Sequence, residues 1–184
     1  MTKKNLTIED LGAEFKEAVT TQDYSKKPVI EGVKTVELRQ FVDDSGSFNE
    51  VARLDSGLLK EFEGFELKQV SYSLMEPGAI KAFHLHFQQE DVWFVPAGDK
   101  LLIGLVDLRK DSASYNVNQK LILGSGKAAL LYIPRGVAHG AANLSKKNAQ
   151  IFYFVSEQFN SESPDEKRLP WDLLGKDFWE KEKG

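Results

Sequence analysis

The chain has 184 residues and only three histidines, two of them separated by a single residue. His84 and His86 lie in KAFHLHFQQED (81–91), and the third is His139. The segment alternates. In a strand, successive side chains point to opposite faces, which sets His84 and His86 on one face and Phe83, Leu85 and Phe87 on the other. Same-face neighbours are roughly 6.6 Å apart along a strand, close enough for two imidazoles to converge on one ion or one substrate. A chain reversal at Phe-Gln-Gln returns Glu90 alongside them. His139 follows IPRGVA, where Pro134 and Gly136 set a turn at a strand end. Three chemistries are open for these residues: a metal site, half of an acid–base pair, or a hydrogen-bonded polar stripe inside a barrel.

The elements that must position them are short. After residue 28, apolar-rich runs such as GVKTVELRQFV, FELKQVSYSLM, AIKAFHLHF, KLLIGLVDLR and AQIFYFVS alternate with turn signals such as DDSG, EPG, PAGD and GSGK. Many short strands at regular turn spacing predict a mainly β fold, a sandwich or barrel. Residues 5–20 read as helical: Leu11, Phe15 and Val19 recur at spacing four, and Thr7 with Asp10 forms a plausible capping pair. Residues 20–28 read as a linker. Two regions follow, a helical extension over 1–27 and a β domain with a C-terminal tail over 28–184. The tail should hold a short helix packed through Trp171, Leu174 and Phe178.

Composition narrows the partners. A net charge of −4 offers no basic footprint for nucleic acid or an anionic membrane. No apolar run approaches the roughly 18 residues of a membrane span, and MTKKNLTIED lacks the apolar core of a secretory signal. The absence of cysteine excludes disulfides, thiolate ligands and a cysteine nucleophile, and fits a cytoplasmic protein. Any metal must be held by imidazole, carboxylate or neutral oxygen.

Gly78, His84, His86 and Glu90, with Gly98 one residue late, resemble the first signature motif of the cupin superfamily, a small β-barrel of jelly-roll type. Pro134, Gly136, His139 and Asn143 resemble the second. In metal-binding cupins the residues matching His84, His86, Glu90 and His139 hold a divalent transition ion, which suits Mn, Fe, Ni or Zn.

A second resemblance covers residues 29–179. IEGVKTVELRQFVDDSGSFNE, KQVSYSLMEPGAIKAFH, GLVDLRKDSASY, IPRGVAHGAANLS, IFYFVSEQF and GKDF resemble successive motifs of the dTDP-4-dehydrorhamnose 3,5-epimerase family, itself a cupin-type barrel. The resemblance implies proton removal beside the 4-keto group of a nucleotide-linked hexose and return on the opposite face, without a cofactor. It implies His84 as base, Asp177 as the carboxylate orienting it and Tyr153 as acid. Gln69, Lys81, Arg109 and His139 are implied as substrate contacts, and a homodimer as the assembly. An imidazole oriented by a carboxylate suits the base role at neutral pH, and a phenol suits proton donation.

Three positions depart from the family pattern. Ser45 stands where the family has arginine, Lys81 keeps a charge but loses the guanidinium fork, and Asp91 aligns with the lysine that steadies the enolate oxygen. His86 and Glu90 stand where the family usually has neither. A divalent ion held by His86, Glu90 and His139, with or without His84, would replace the lost lysine. The readings are thus a sugar epimerase, a metal-dependent cupin acting on another small substrate, and a sugar-binding barrel without catalysis.

Overall fold

Residues 5–25 and 27–181 are described by a computed structural model. The runs after residue 28 become strands: β1 (Lys34–Glu37), β2 (Gln40–Asp43), β3 (Gly46–Asn49), β4 (Leu54–Asp55), β5 (Leu58–Leu59), β6 (Gln69–Met75), β7 (Ile80–Leu85), β8 (Asp91–Phe94), β9 (Lys100–Asp107), β10 (Asn118–Gly124), β11 (Ala129–Ile133), β12 (Val137–Ala142), β13 (Ala149–Val155) and β14 (Lys167–Arg168). Two five-stranded antiparallel sheets form, ordered β1-β11-β8-β13-β6 and β10-β9-β12-β7-β14, with β2–β3 and β4–β5 as separate hairpins. The mainly β, cupin-type expectation holds, as a jelly-roll pair of sheets that share no strand rather than a closed barrel.

The sheets face each other across a core to which both contribute. Met75, Trp93, Leu131, Ile133 and Ile151 come from the first, and Leu101, Ile103, Leu105, Leu123, Val137 and Ala141 from the second. Strand alternation then gives the second sheet an apolar outer face as well. Phe83, Leu85, Leu102, Val106, Ala138 and Ala142 point outward and are covered by Phe178 and Trp179 of the one-turn 3₁₀ helix Lys176–Trp179. A strand buried on both faces needs two apolar sets, which is why KLLIGLV is almost continuously apolar.

The tail packs differently from expectation. Phe178 is buried and Leu174 half-buried, but Trp171 stays 42% exposed, and Trp179 is the second buried aromatic. The indole of Trp179 donates to the Trp171 carbonyl at 2.8 Å. At the other terminus the expected helix over 5–20 is two separate turns, a 3₁₀ turn Ile8–Asp10 and a single α-turn Ala13–Lys16. Gly12, with ψ near 142°, interrupts them. Leu6, Ile8, Leu11, Phe15 and Val19 remain exposed, so this segment has no core to stabilise a longer helix against its nucleation cost.

The outer cover depends on Gly104. A Cβ there would lie 2.5 Å from the Phe178 ring and 2.6 Å from that of Trp179. Gly104→Ala should therefore cost about 1–3 kcal/mol by overpacking. Urea unfolding followed by tryptophan fluorescence measures it. Unchanged stability would mean that the tail does not seal this face.

Candidate functional site

The interior is apolar at one end and polar at the other, and the polar end opens as a cavity of about 710 Å³. Each strand changes character along its inward-facing positions. On β6 they run Met75, Ser73, Ser71, Gln69; on β13, Ile151, Tyr153, Val155; on β8, Trp93, Asp91. On β7 the inward side chains are Lys81 and His84, with His86 just beyond the strand end. Lys81 and His84 are three residues apart, a spacing that regular alternation would place on opposite faces. The β7–β12 register slips between the pairs His139↔His84 and Ala141↔Lys81, and this bulge returns both to the cavity.

The histidines form a cluster. His86 stacks on His139 at 5.3 Å between ring centroids, and His84 meets His139 edge-on at 6.1 Å. His139, 2% exposed, sits behind the cavity wall against Trp93. Its Nδ1 lies 2.9 Å from the Val137 carbonyl, which can only accept, so Nδ1 carries the proton and Nε2 the lone pair. That Nε2 lies 3.6 Å from Oδ2 of Asp91 and has no hydrogen-bond partner. Asp91 is held by Trp93 Nε1 at 2.9 Å and Gln89 Nε2 at 2.7 Å. Burial, followed by the neighbouring His139, depresses the pKa of His84 to about 4, so it is neutral at pH 7 and able to accept a proton. Its Nε2 is also buried without a partner.

Tyr153 lines the same cavity from the facing sheet, edge-on to Trp93 at 5.3 Å. Burial raises its pKa, which keeps it protonated. Lys81 donates to Ser73 at 3.3 Å, which carries a cation towards that wall. Gln69 accepts from the Phe159 backbone N–H at 3.0 Å, tying the loop after β13 over the opening.

Sequence reasoning did not find β14. Its pairing with β7, Lys167↔Leu85 and Arg168↔His84, brings Arg168 and Glu166 to the cavity beside the histidines. They form an ion pair with each other. Just before them, Asp165 accepts from the backbone N–H groups of Phe87, Gln88 and Gln89 at 3.1, 2.8 and 2.9 Å. Burial opposes its ionisation, but these three donors hold its pKa below the ordinary carboxylate value. The reversal expected at Phe-Gln-Gln is thus built around a residue 78 positions on from Phe87. No local signal could have revealed it.

Of the expected site residues, His84, His86, Lys81, Gln69 and Tyr153 line the cavity, and His139 backs it. Three others do not join them. Glu90 points away, because Asp91, one residue on, takes the inward position. Its carboxylate instead pairs with Arg135 at 3.2 Å. It also helps burial push the Tyr132 hydroxyl up to about 12. The four-ligand set His84, His86, Glu90, His139 is therefore not the one that the fold assembles. Asp177 is exposed on the helix that covers the outer face of the second sheet, across that sheet from the cavity. Arg109 is bonded at 2.8 Å through both Nε and Nη2 to Asp107, a fully buried carboxylate, and at 2.6 Å to the Glu31 carbonyl. It borders a separate depression with Glu31 and Ser112. Burial would raise the Asp107 pKa, but Arg109, Ser112 and Ser114 together hold it well below the carboxylate range, which marks a structural ion pair. Ser45 lies in the β2–β3 turn, bonded to Asp43.

Known proteins are similar to this chain in sequence and in fold. The family model for dTDP-4-dehydrorhamnose 3,5-epimerase matches residues 27–173. The spore coat polysaccharide biosynthesis protein SpsL of Bacillus subtilis (strain 168) is 42% identical over 144 residues, which is 78% of this chain and 91% of that protein. A dTDP sugar isomerase from Desulfovibrio desulfuricans G20 superposes with a TM-score of 0.69 at 25% identity, covering 79% of this chain and 88% of that one. A Bacillus anthracis dTDP-4-dehydrorhamnose 3,5-epimerase, crystallised with TDP and pyrophosphate, gives 0.65 at 26% identity over 77% and 80%. With the opposed His84 and Tyr153 in one cavity, these matches place the chain in the dTDP-4-dehydrorhamnose 3,5-epimerase family of sugar epimerases.

Proposed function

We propose that the cavity epimerises a 4-keto-hexose carried on a nucleotide, with His84 as the base and Tyr153 as the acid. The observation that carries this reading is their placement on facing sheets. A planar enolate held between them loses a proton to one face and regains one on the other, which inverts the carbon. A neutral His84 with an unpartnered Nε2 and a protonated Tyr153 hold the charge states that these roles require. With Asp177 across the sheet, Glu166, just before β14, is the carboxylate whose charge favours a proton on His84. Lys81 and Arg168 are the cavity's cations, suited to a diphosphate.

A homodimer belongs to the same reading. β6 is a sheet edge whose outward residues Val70, Tyr72 and Leu74 are 48–52% exposed. The β2–β3 hairpin likewise exposes Phe41, Val42 and Phe48. Apolar surface along an open strand edge suits a second copy of the chain. We also place the protein in the cytoplasm, on the absence of cysteine; among the described residues no helix is long and apolar enough to cross a membrane.

In D2O, a dTDP-4-keto-6-deoxyhexose should take up deuterium at the carbons beside the ketone. His84→Asn should slow this by about 10²–10⁴-fold. Tyr153→Phe should keep the His84-dependent exchange while losing the inverted product, because the proton then returns only from the face it left. No exchange by the wild type, or His84→Asn equal to wild type, would overturn the assignment. Lys81→Met should weaken dTDP binding about tenfold, the loss of one charge-assisted contact of about 1.4 kcal/mol, read by calorimetry. Tyr72→Glu should shift sedimentation from dimer to monomer, and a monomeric wild type would exclude the dimer.

A further inference from the structure

We propose that His86, Asp91 and His139 form a binding site for one divalent transition-metal ion at the floor of the cavity, leaving His84 outside the ligand set. One potential ligand atom from each of the three lies within 4.8 Å of the others, and all three residues are buried. The donor types, two imidazoles and one carboxylate, are those of the three-ligand sites that leave further positions open to water or substrate.

The surroundings point the same way. A ligating histidine usually donates its second ring N–H to a carbonyl or carboxylate, which turns the other nitrogen to the metal. His139 does this through Nδ1 to Val137, and its bare Nε2 then faces the Asp91 carboxylate at 3.6 Å with no hydrogen between them. A lone pair facing an anion in a buried site is repulsive, and a cation between them removes the repulsion. The His86 ring presents Nδ1 towards Asp165 at 4.0 Å, beyond hydrogen-bond length, and its Nε2 towards Gln89 at 3.4 Å. Gln89 and Trp93 each donate to Asp91, which fixes the carboxylate and leaves lone pairs on both oxygens. Bonds of about 2.1 Å to a tetrahedral ion set its ligands about 3.4 Å apart, close to the 3.6 Å between His139 and Asp91. Rotation of the His86 side chain closes the third edge.

With His84 excluded, the proton acceptor and the metal do not compete for one imidazole. The ion would set a positive charge beside the substrate's ketone oxygen as that oxygen becomes an enolate. That role rests on the epimerase reading; the binding does not.

The test begins without substrate. Elemental analysis of protein purified without added metal, and Co2+ titration of the chelated protein followed by visible absorption, should show about one equivalent per chain. Asp91→Asn should reduce Co2+ affinity at least tenfold, with circular dichroism and melting temperature confirming that the variant is folded. His86→Gln serves as a second variant should Asp91→Asn fail to fold. Less than about a tenth of an equivalent with no saturable Co2+ spectrum, or equal binding by the folded variants, would overturn the site. Deuterium exchange that persists undiminished in chelated, metal-free protein would overturn the ion's role beside the enolate while leaving the epimerase assignment standing.

Discussion

The pairing of β7 with β12 is the constraint on which the site depends. It sets His84 opposite His139, and its bulge carries Lys81 back to the same face three residues earlier. Regular alternation without that slip would turn Lys81 onto the apolar outer surface with Phe83 and Leu85. Gly140 lies at the slip, and a Cβ there would come within 2.3 Å of Ala82. Close backbone approach therefore accompanies the irregularity that the site needs, and only glycine permits it.

Around that pairing, the two sheets divide one interior into two environments. Leu, Ile and Val fill one end and hold the sheets together, while Gln, Ser, His, Asp and Tyr line the other and leave it open to substrate. The apolar end supplies rigidity and the polar end supplies chemistry. Opposed walls are what an inversion at carbon requires, and a base on one sheet with an acid on the other follows from this architecture. The buried polar groups at the open end are unevenly satisfied. Asp91 has two donors, whereas the free nitrogens of His84 and His139 have no acceptor or donor at all. Unpartnered buried nitrogens are costly in a finished core and expected where a ligand completes the bonding.

Arg109 shows how a motif residue can be structural. Its guanidinium neutralises the fully buried Asp107 and ties the end of β9 to the chain at Glu31. Removing one member would leave an uncompensated buried charge, so the pair is held in place by the penalty of breaking it. Arg168 carries no such burden. It reaches the cavity from a two-residue strand that nothing in the local sequence marks as a strand.

The sequence by itself determined the strand pattern, the shared face of His84 and His86, and the grouping of His84, Tyr153, Lys81 and Gln69, because period-two alternation and family motifs are local in the chain. It also supplied the absence of thiol chemistry. The tertiary structure decided what local rules cannot reach. It chose Asp91 over Glu90 as the inward carboxylate, since one residue of register reverses every side chain. It put Asp177 on the far side of the sheet and broke the expected helix over 5–20 where no core supports it. It also brought Asp165, Glu166 and Arg168 to the histidines across about 80 residues of chain, because such contacts depend on which strand edges meet and not on neighbours in sequence.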